Sequence, residues 1–513
     1  MRDIANKSLK LNNDLDRYVE QALEQGRPVK IGWGRAGDER PKDGEFGVMT
    51  HLPEGARVLC LGSLGDCVGA ANRGGTLTLR GDAGSMLGAF HHSGKTVVEK
   101  DVGDKAGFGM KGGEISIHGS TGDEPGYSMT GGILLVRGHS GDRLGCGMSG
   151  GSIVVMGSVG SEPGIGMTGG RVIISGSCPP PPDGVEMRSI KKTEISEFSK
   201  LLDPMGLSLN DDALVLEPTG AVLSTVEETE VFISEGFENI SLYPNEDSLS
   251  DNSPLDHYTL LVQDGADSGG ALLKIPWIMT CETTMGSEKW KGVDSPAIVR
   301  TKSRENDLLL VGKNEFCDAI DHVGNCSGIV FDITDFPGLN DAEIEGMIIS
   351  LRSRMSGNSI ILLRGRIDRI ERLFRLVMDL ELDGAVVNSA TIGGTRLASS
   401  LPKIGLSAKA MGMSETGKFV MIEVLQQPIA EDLIIAVASG CTALVSPCPD
   451  GDLSAKINEL TVGIRELMRE IGVDRIERIG RRNLRANNFD TAAISGLRLV
   501  GYDRPLKMWL DLR

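Results

Sequence analysis

Gly84-Ser85-Met86-Leu87-Gly88-Ala89-Phe90-His91-His92-Ser93-Gly94-Lys95-Thr96-Val97-Val98-Glu99-Lys100-Asp101-Val102 is one unit, and Gly103-Asp104-Lys105-Ala106-Gly107 opens the next copy of it. The unit begins six times, at Gly65, Gly84, Gly103, Gly122, Gly141 and Gly160. Four residues on stand Gly69, Gly88, Gly107, Gly126, Gly145 and Gly164, and ten residues on stand Gly75, Gly94, Gly113, Gly132, Gly151 and Gly170. A short β-branched run such as Ile115-Ser116-Ile117 or Ile153-Val154-Val155 follows each time. A 19-residue register without slippage marks one supersecondary unit stacked on its own copies. That length is too short for a helix pair or a propeller blade. It suits one coil of a right-handed parallel β-helix, with coils about 4.8 Å apart. The glycines are expected at coil corners, where positive φ excludes other residues.

Outside the repeat the chain, 513 residues in all, is long enough for two or three domains. Its net charge of −18, with no basic block, argues against nucleic acid and anionic membranes as partners. No apolar stretch approaches the roughly 20 residues of a membrane span. Met1-Arg2-Asp3-Ile4 opens no signal-peptide core, so a cytoplasmic protein is expected. The nine cysteines contain no CxxC pair, which leaves a zinc or disulfide framework without support.

Five segments follow: a leader over 1–57, the β-helix over 58–182, a connecting segment over 183–252, an α/β domain over 253–452 and a helical tail over 453–513. In the leader, Asn13-Asp14 predicts the cap of a helix over 15–25, and Val29-Lys30-Ile31-Gly32-Trp33 reads as a strand. The prolines after Cys178 end the stack, because they cannot donate backbone hydrogen bonds. The connecting segment predicts a helix over 194–202 and strands near 213–216 and 230–234. In the α/β domain, strands are expected at 272–278, 308–311, 328–333, 360–363, 384–388, 419–425 and 442–446, with helices over 341–355 and 367–380. This alternation suits an α/β barrel, with an open doubly wound sheet as the alternative. The tail opens on a charged helix broken at Gly472.

The array resembles the GXGXG domain of the glutamate synthase large subunit, and also the β-helical subunit of formylmethanofuran dehydrogenase; Gly81-Asp82-Ala83-Gly84-Ser85-Met86-Leu87-Gly88-Ala89-Phe90 carries the likeness best. The second half is similar to a reduced glutamate synthase FMN domain. Asp335-Phe336-Pro337-Gly338-Leu339-Asn340-Asp341, the segment 383–400, Glu431-Asp432-Leu433-Ile434-Ile435-Ala436 and the segment 465–481 parallel that domain's motifs in order.

The resemblance implies FMN, with its phosphate held by glycine-rich loops after the last barrel strands. In this chain Glu423-Val424-Leu425-Gln426-Gln427-Pro428-Ile429-Ala430 stands where the family has Gly-Gly-Leu-Lys-Thr-Gly. The family's strand lysine is replaced by an apolar strand with Arg364 two positions late, and arginine is no plain substitute for lysine. Gly393, Gly394, Thr395, Arg364 and Gly440 are the residues the resemblance puts at a cofactor, in a flavin site expected to be altered or lost. The family's Cys-x5-Cys-x4-Cys cluster motif is reduced to Cys441 and Cys448, so no iron-sulfur cluster is expected. No metal site is expected either, and His91-His92 reads as a surface pair. Asp332, Asp335 and Asp368 read as exposed carboxylates rather than acid-base groups.

What the resemblance implies is a glutamate synthase-like subunit of an amino-acid-metabolism oxidoreductase handling 2-oxoglutarate, ammonia or glutamine, and glutamate. Glutaminase-like or electron-donor subunits, or a second copy of the chain, are the partners it implies. The alternatives are a non-catalytic scaffold or regulatory subunit built on the β-helix, and a component like the β-helical one of formylmethanofuran dehydrogenase.

Overall fold

The computed structural model describes residues 3–34, 40–220, 231–233, 237, 239–244, 258–261, 271–273, 275–336, 338–357, 359–392, 397–473 and 475–502. The chain forms two compact units, one of Met1–Glu227 with Leu339–Arg354, the other of Glu228–Gly338 with Met355–Arg513.

Unit 1 opens with helix α1 (Asp3–Gln25). It starts twelve residues before the expected position, and Asn12 is a buried mid-helix residue rather than the neighbour of a cap. Its side chain donates to the Gly47 carbonyl at 2.8 Å and accepts from Met49 N at 2.9 Å, binding the helix to the following loop. Seven parallel pairings then stack β1 (Val29–Ile31), β2 (Arg57–Leu61), β3 (Arg73–Arg80), β4 (Ser93–Val98), β5 (Glu114–Ile117), β6 (Ile133–Val136), β7 (Ser149–Val155) and β8 (Gly169–Ile174). The register advances 19 residues per coil, as in Ile115↔Leu134 and Leu134↔Ile153. After β9 (Val185–Ser189) and helix α2 (Lys192–Leu202), β10 (Leu214–Pro218) pairs antiparallel with both β8 and β9.

Side chains alternate across these strands. Leu77, Ile115, Leu134, Ile153 and Val172 fill the interior of the coils. Leu135, Val154 and Ile173 point outward and are buried under Phe198 and Leu202 of α2. A ladder of Met110, Met129, Met148 and Met167 runs through the interior one coil apart, continuing the positions of Asn72 and His91. His91 is therefore buried, which corrects the expectation of a surface pair. Its Nε2 meets Asn72 Nδ2 at 3.3 Å and its Nδ1 meets the Gly112 carbonyl at 3.0 Å. Burial pushes its pKa down to about 4.

The glycine pattern has two causes, only one of which was expected. Gly88 and Gly126 do adopt positive φ, 62° and 73°. The opening glycines do not; they are required by coil-to-coil contact. A Cβ on Gly122 would lie 2.0 Å from Asp104 Oδ1, and one on Gly84 2.2 Å from Asp66 Oδ1. Those carboxylates form a ladder between coils, Asp104 accepting from Asp123 N and Asp123 from Asp142 N, each at 2.8 Å. Positive φ is also borne by non-glycine residues two places after each opening glycine: Cys67, Met86, Lys105, Glu124, Arg143 and Glu162.

Helix α4 (Asp341–Arg352) counts with unit 1 although it lies in sequence between two barrel strands. Lys105 Nζ reaches both Glu343 carboxylate oxygens at 3.0 Å, a pair almost wholly out of water. Arg354 bonds Asp16 at 2.7 Å.

In unit 2, β15 (Trp277–Cys281), β16 (Ala297–Val299), β17 (Leu308–Val311), β18 (Gly328–Asp332), β19 (Ile360–Arg366), β20 (Gly384–Asn388), β22 (Phe419–Glu423) and β23 (Ala443–Pro447) close into a parallel barrel. The open-sheet alternative is thereby excluded. Smaller sheets pair β11 (Val231–Ile233) with β21 (Ala390–Ile392), β13 (Tyr258–Leu261) with β14 (Ala271–Leu273), and β12 (Ile240–Leu242) with β24 (Leu484–Ala486) and β25 (Arg498–Leu499). Each barrel strand sends at least one side chain into the core, among them Ile278, Ile298, Leu310, Val330, Leu362, Val386, Met421 and Val445.

The barrel is reduced at its start. Between β15 and β16 there is only a short 3₁₀ turn, and between β16 and β17 no helix at all. Asp307, fully buried, holds this part together: it accepts from Arg304 at 2.8 Å, from Ala297 N at 3.0 Å and from the Thr284 hydroxyl. Later crossovers carry α3 (Phe316–His322), α5 (Ile370–Asp379), α6 (Leu397–Ala410) and α7 (Ala430–Ala438); α8 (Leu453–Ile471) and α9 (Phe489–Ser495) follow the last strand.

Candidate functional site

In barrels of parallel strands the side chains at the C-terminal strand ends form the site. Here Asp332 ends β18, Glu423 ends β22, and Arg364 lies near the end of β19. Each follows by two residues a core side chain, Val330, Met421 or Leu362, so the period-2 alternation of a strand aims all three into the barrel. Arg364 Nε donates to Glu423 Oε2 at 2.6 Å, and its Nη1 donates to Asp332 Oδ2. Asp332 Oδ1 also accepts from Thr334 N and Oγ1, at 3.0 and 2.6 Å. Exposure of the three side chains is only 15%, 7% and 12% for Arg364, Asp332 and Glu423, so the ion pairs lie largely outside solvent screening. Burial by itself would favour a neutral guanidine. The Glu423 and Asp332 carboxylates outweigh it and hold the Arg364 pKa above its ordinary value.

One cation between two anions leaves one excess negative charge over the apolar layers below. Such a cluster repels an incoming anion and has its cation committed. Its charges are spent on one another rather than offered as an acid or base. Asp332 is buried, contrary to the expectation of an exposed carboxylate, whereas Asp368 pairs with Arg366 at 2.5 Å and Asp335 accepts from Lys313 N at 3.4 Å.

The described residues do not fit the phosphate of FMN. After β22, the Ile429 N–H is taken by Asp432 Oδ2 at 3.0 Å and the Val424 N–H by the Val445 carbonyl at 2.8 Å. After β23, Asp452 Oδ1 accepts from Ser454 N and Ala455 N, at 2.9 and 3.4 Å, capping α8. A carboxylate thus occupies each helix N-terminus where a phosphate would be drawn. Burial raises the Asp432 and Glu431 pKa values, a sign that this region already disfavours further negative charge.

Of the other expected site residues, only Gly440 lies among the described ones, and it is not brought to Arg364. Gly393, Gly394 and Thr395 lie outside the described residues. Gly440, with φ of 94°, sits before β23 at the opposite strand end, where a Cβ would lie 2.9 Å from the Gly405 Cα of α6. Cys441 and Cys448 flank β23 at its two ends. Seven residues of extended chain separate them by about 23 Å, too far to share one cluster. Among the described residues no group of three His, Cys, Asp or Glu is placed to hold a metal ion. The role of Glu423 as partner to Arg364 was missed in the sequence; the signal was available in the i, i+2 pattern of β22 ending on a carboxylate.

Residues 50–201 match the family model described as GXGXG motif. No curated protein matches the chain. Among solved structures, a mutant flavocytochrome b2 with benzoylformate is similar at 14% identity and a TM-score of 0.37, over 49% of this chain and 77% of that one. The recombinant flavin-binding domain of baker's yeast flavocytochrome b2 gives 14% identity and a TM-score of 0.36, with the same coverage. No helix among the described residues is long and apolar enough to cross a membrane. The chain carries a GXGXG motif domain, joined to an eight-stranded parallel α/β barrel.

Proposed function

We propose that the chain is a subunit of an amino-acid-metabolising oxidoreductase of the glutamate synthase type, which interconverts 2-oxoglutarate with ammonia or glutamine and glutamate. In this reading the GXGXG solenoid is the contact surface for partner subunits, and flavin chemistry resides on one of those partners. The observation that carries it is the contrast between the two units. The solenoid keeps its full coil register, while at the C-terminal strand ends of the barrel Arg364 is committed between Asp332 and Glu423.

The test is an FMN titration of the full chain, followed by fluorescence quenching, together with co-expression alongside separate glutaminase-like and FMN-barrel subunits. The expected result is no saturable quenching by the isolated chain and retention of the chain in a complex with those subunits. Stoichiometric FMN binding would overturn the reading of the barrel, and failure to associate with any such subunit would overturn the reading of the solenoid. A second reading, a flavin enzyme in its own right, is favoured only by the closure of the barrel, and the same titration decides against or for it.

A further inference from the structure

The first and last barrel strands, β15 and β23, meet in the register Trp277↔Leu444, Ile278↔Val445, Met279↔Ser446 and Thr280↔Pro447. The next pair in this register is Cys281 and Cys448. The ladder continues to that point, since Cys448 N donates to the Thr280 carbonyl at 2.9 Å. Ile278 and Val445 face the core, so Cys281 and Cys448, an odd number of positions on, face outward together. Trp277 and Ser446 share that outer face and are joined there, Nε1 to Oγ, at 2.8 Å. Adjacent strands lie about 4.8 Å apart, inside the Cα separation of roughly 4.4–6.8 Å that a disulfide spans. Both cysteines are free thiols and neither is fully buried.

The surroundings distinguish the two sulfurs. Lys289, on the turn between β15 and β16, bonds both the Pro449 carbonyl and the Cys448 thiol, with Asp450 nearby. Cys281 lies near Cys448, Asp307, Arg304 and Lys289.

We propose that Cys281 and Cys448 are a redox modification site, a cross-strand dithiol that forms an intrachain disulfide by exchange with a small-molecule disulfide. This inference does not depend on the proposed function. The Cys448 thiolate, with the Lys289 ammonium beside it, attacks one sulfur of R–S–S–R and expels R–S⁻. Cys281 Sγ then attacks Cys448 Sγ in the mixed disulfide and expels the second R–S⁻. The two protons lost by the cysteines end on the released thiolates, so two cysteines and R–S–S–R give one intrachain disulfide and two R–SH. The two cysteines lose the two electrons that the oxidant gains. Burial, then the neighbouring Cys448, pushes the Cys281 thiol up to about 12, and burial also raises Cys448 against the opposing effect of Lys289. A dithiol whose thiolates are poorly stabilised favours the disulfide once formed. The bond would tie the seam at which the barrel closes.

The experiment equilibrates the full chain with mixtures of oxidised and reduced glutathione, counts free thiols under denaturing conditions with a maleimide, and maps peptides by mass spectrometry. Nine thiols in the reduced chain are expected to fall by two on oxidation, with a cross-linked peptide joining positions 281 and 448 and a higher unfolding temperature. Cys448→Ser is expected to lose no thiol in the same mixtures. A glutathione adduct on Cys448 that never resolves, a full thiol count at every ratio, or a bridge between other cysteines would each overturn the proposal. Peptide mapping of the unsubstituted chain decides the matter even where the variant fails to fold.

Discussion

Replacing Arg364 by Met removes the cation at the barrel mouth while keeping much of the side-chain stem. The guanidinium makes one charge-assisted bond to Glu423 and one to Asp332, all three groups being largely out of water. Hydrogen bonds to charged groups contribute about 1.5–3 kcal/mol each. Two of them give a loss that agrees with the roughly 3–5 kcal/mol measured when one partner of a buried ion pair is removed. For a unit of this size that lowers the unfolding midpoint by roughly 6–20 °C. The cause is two carboxylates left facing one another without a counter-ion. Protonating either carboxylate removes the repulsion between them, so the deficit is expected to narrow on acidification. The assay is thermal and urea unfolding at several pH values, read by tryptophan fluorescence, to which Trp277 in the buried barrel wall contributes. Asp332→Asn and Glu423→Gln added to Arg364→Met are expected to restore stability to within about 1–2 kcal/mol, because the neutral set carries no unpaired charge. A single variant within about 1 kcal/mol of the parent at neutral pH, or a triple variant no better than the single, would refute the account of Arg364, Asp332 and Glu423 as a buried ion cluster.

Three further outcomes concern the solenoid. Gly122→Ala, where φ is not positive but a Cβ meets Asp104 Oδ1 at 2.0 Å, is expected to lose about 1–3 kcal/mol by overpacking. Ser128→Gly, at a φ of 53°, is expected to be neutral or to gain up to about 1 kcal/mol, and urea midpoints compare the two directly. His91 has a folded-state pKa of about 4, below its ordinary value of 6.5, so its contribution is present above pH 6.5 and is lost as pH falls towards 4. The loss amounts to about 2–3 kcal/mol across that window. His91→Gln is expected to flatten this part of the stability profile of unit 1; an unchanged profile would place the titrating group elsewhere.

The coil, its period and its strands were legible because each is fixed by local sterics repeated at one interval. The opening glycines were legible as glycines but not in their cause. Gly122 answers to Asp104 in the preceding coil, and no local rule reveals a carboxylate folded back between coils. Helix α1 was read too short because Asn13 and Asp14 look like cap residues, yet the helix runs through them and Asn12 spends its amide on the loop at Gly47 and Met49. Helix α6 escaped notice because it contains Pro402 and Gly405. Strand β16 escaped because Ala297–Val299 is three residues long. At the candidate site, Arg364 and Asp332 were each visible, but their pairing follows from the register Asp332↔Arg364 between strands whose partners the sequence does not state.

The antiparallel strand at the end of the solenoid has a consequence for how copies of the chain behave towards one another. A stack of near-identical coils offers at its last rung the same row of amides and carbonyls that accepted every rung before it, and another molecule's coil could dock there without limit. β10 runs against β8 in the opposite direction, and β9 beyond it carries Glu186 and Arg188, so the exposed rim no longer matches the parallel spacing of a coil. At the other rim the last strand, β1, is three residues long, with Leu15 and Val19 of α1 completing the apolar interior. The ends of the repeat thus differ from its inner coils, by a reversal of chain direction at one end and a shortened strand at the other.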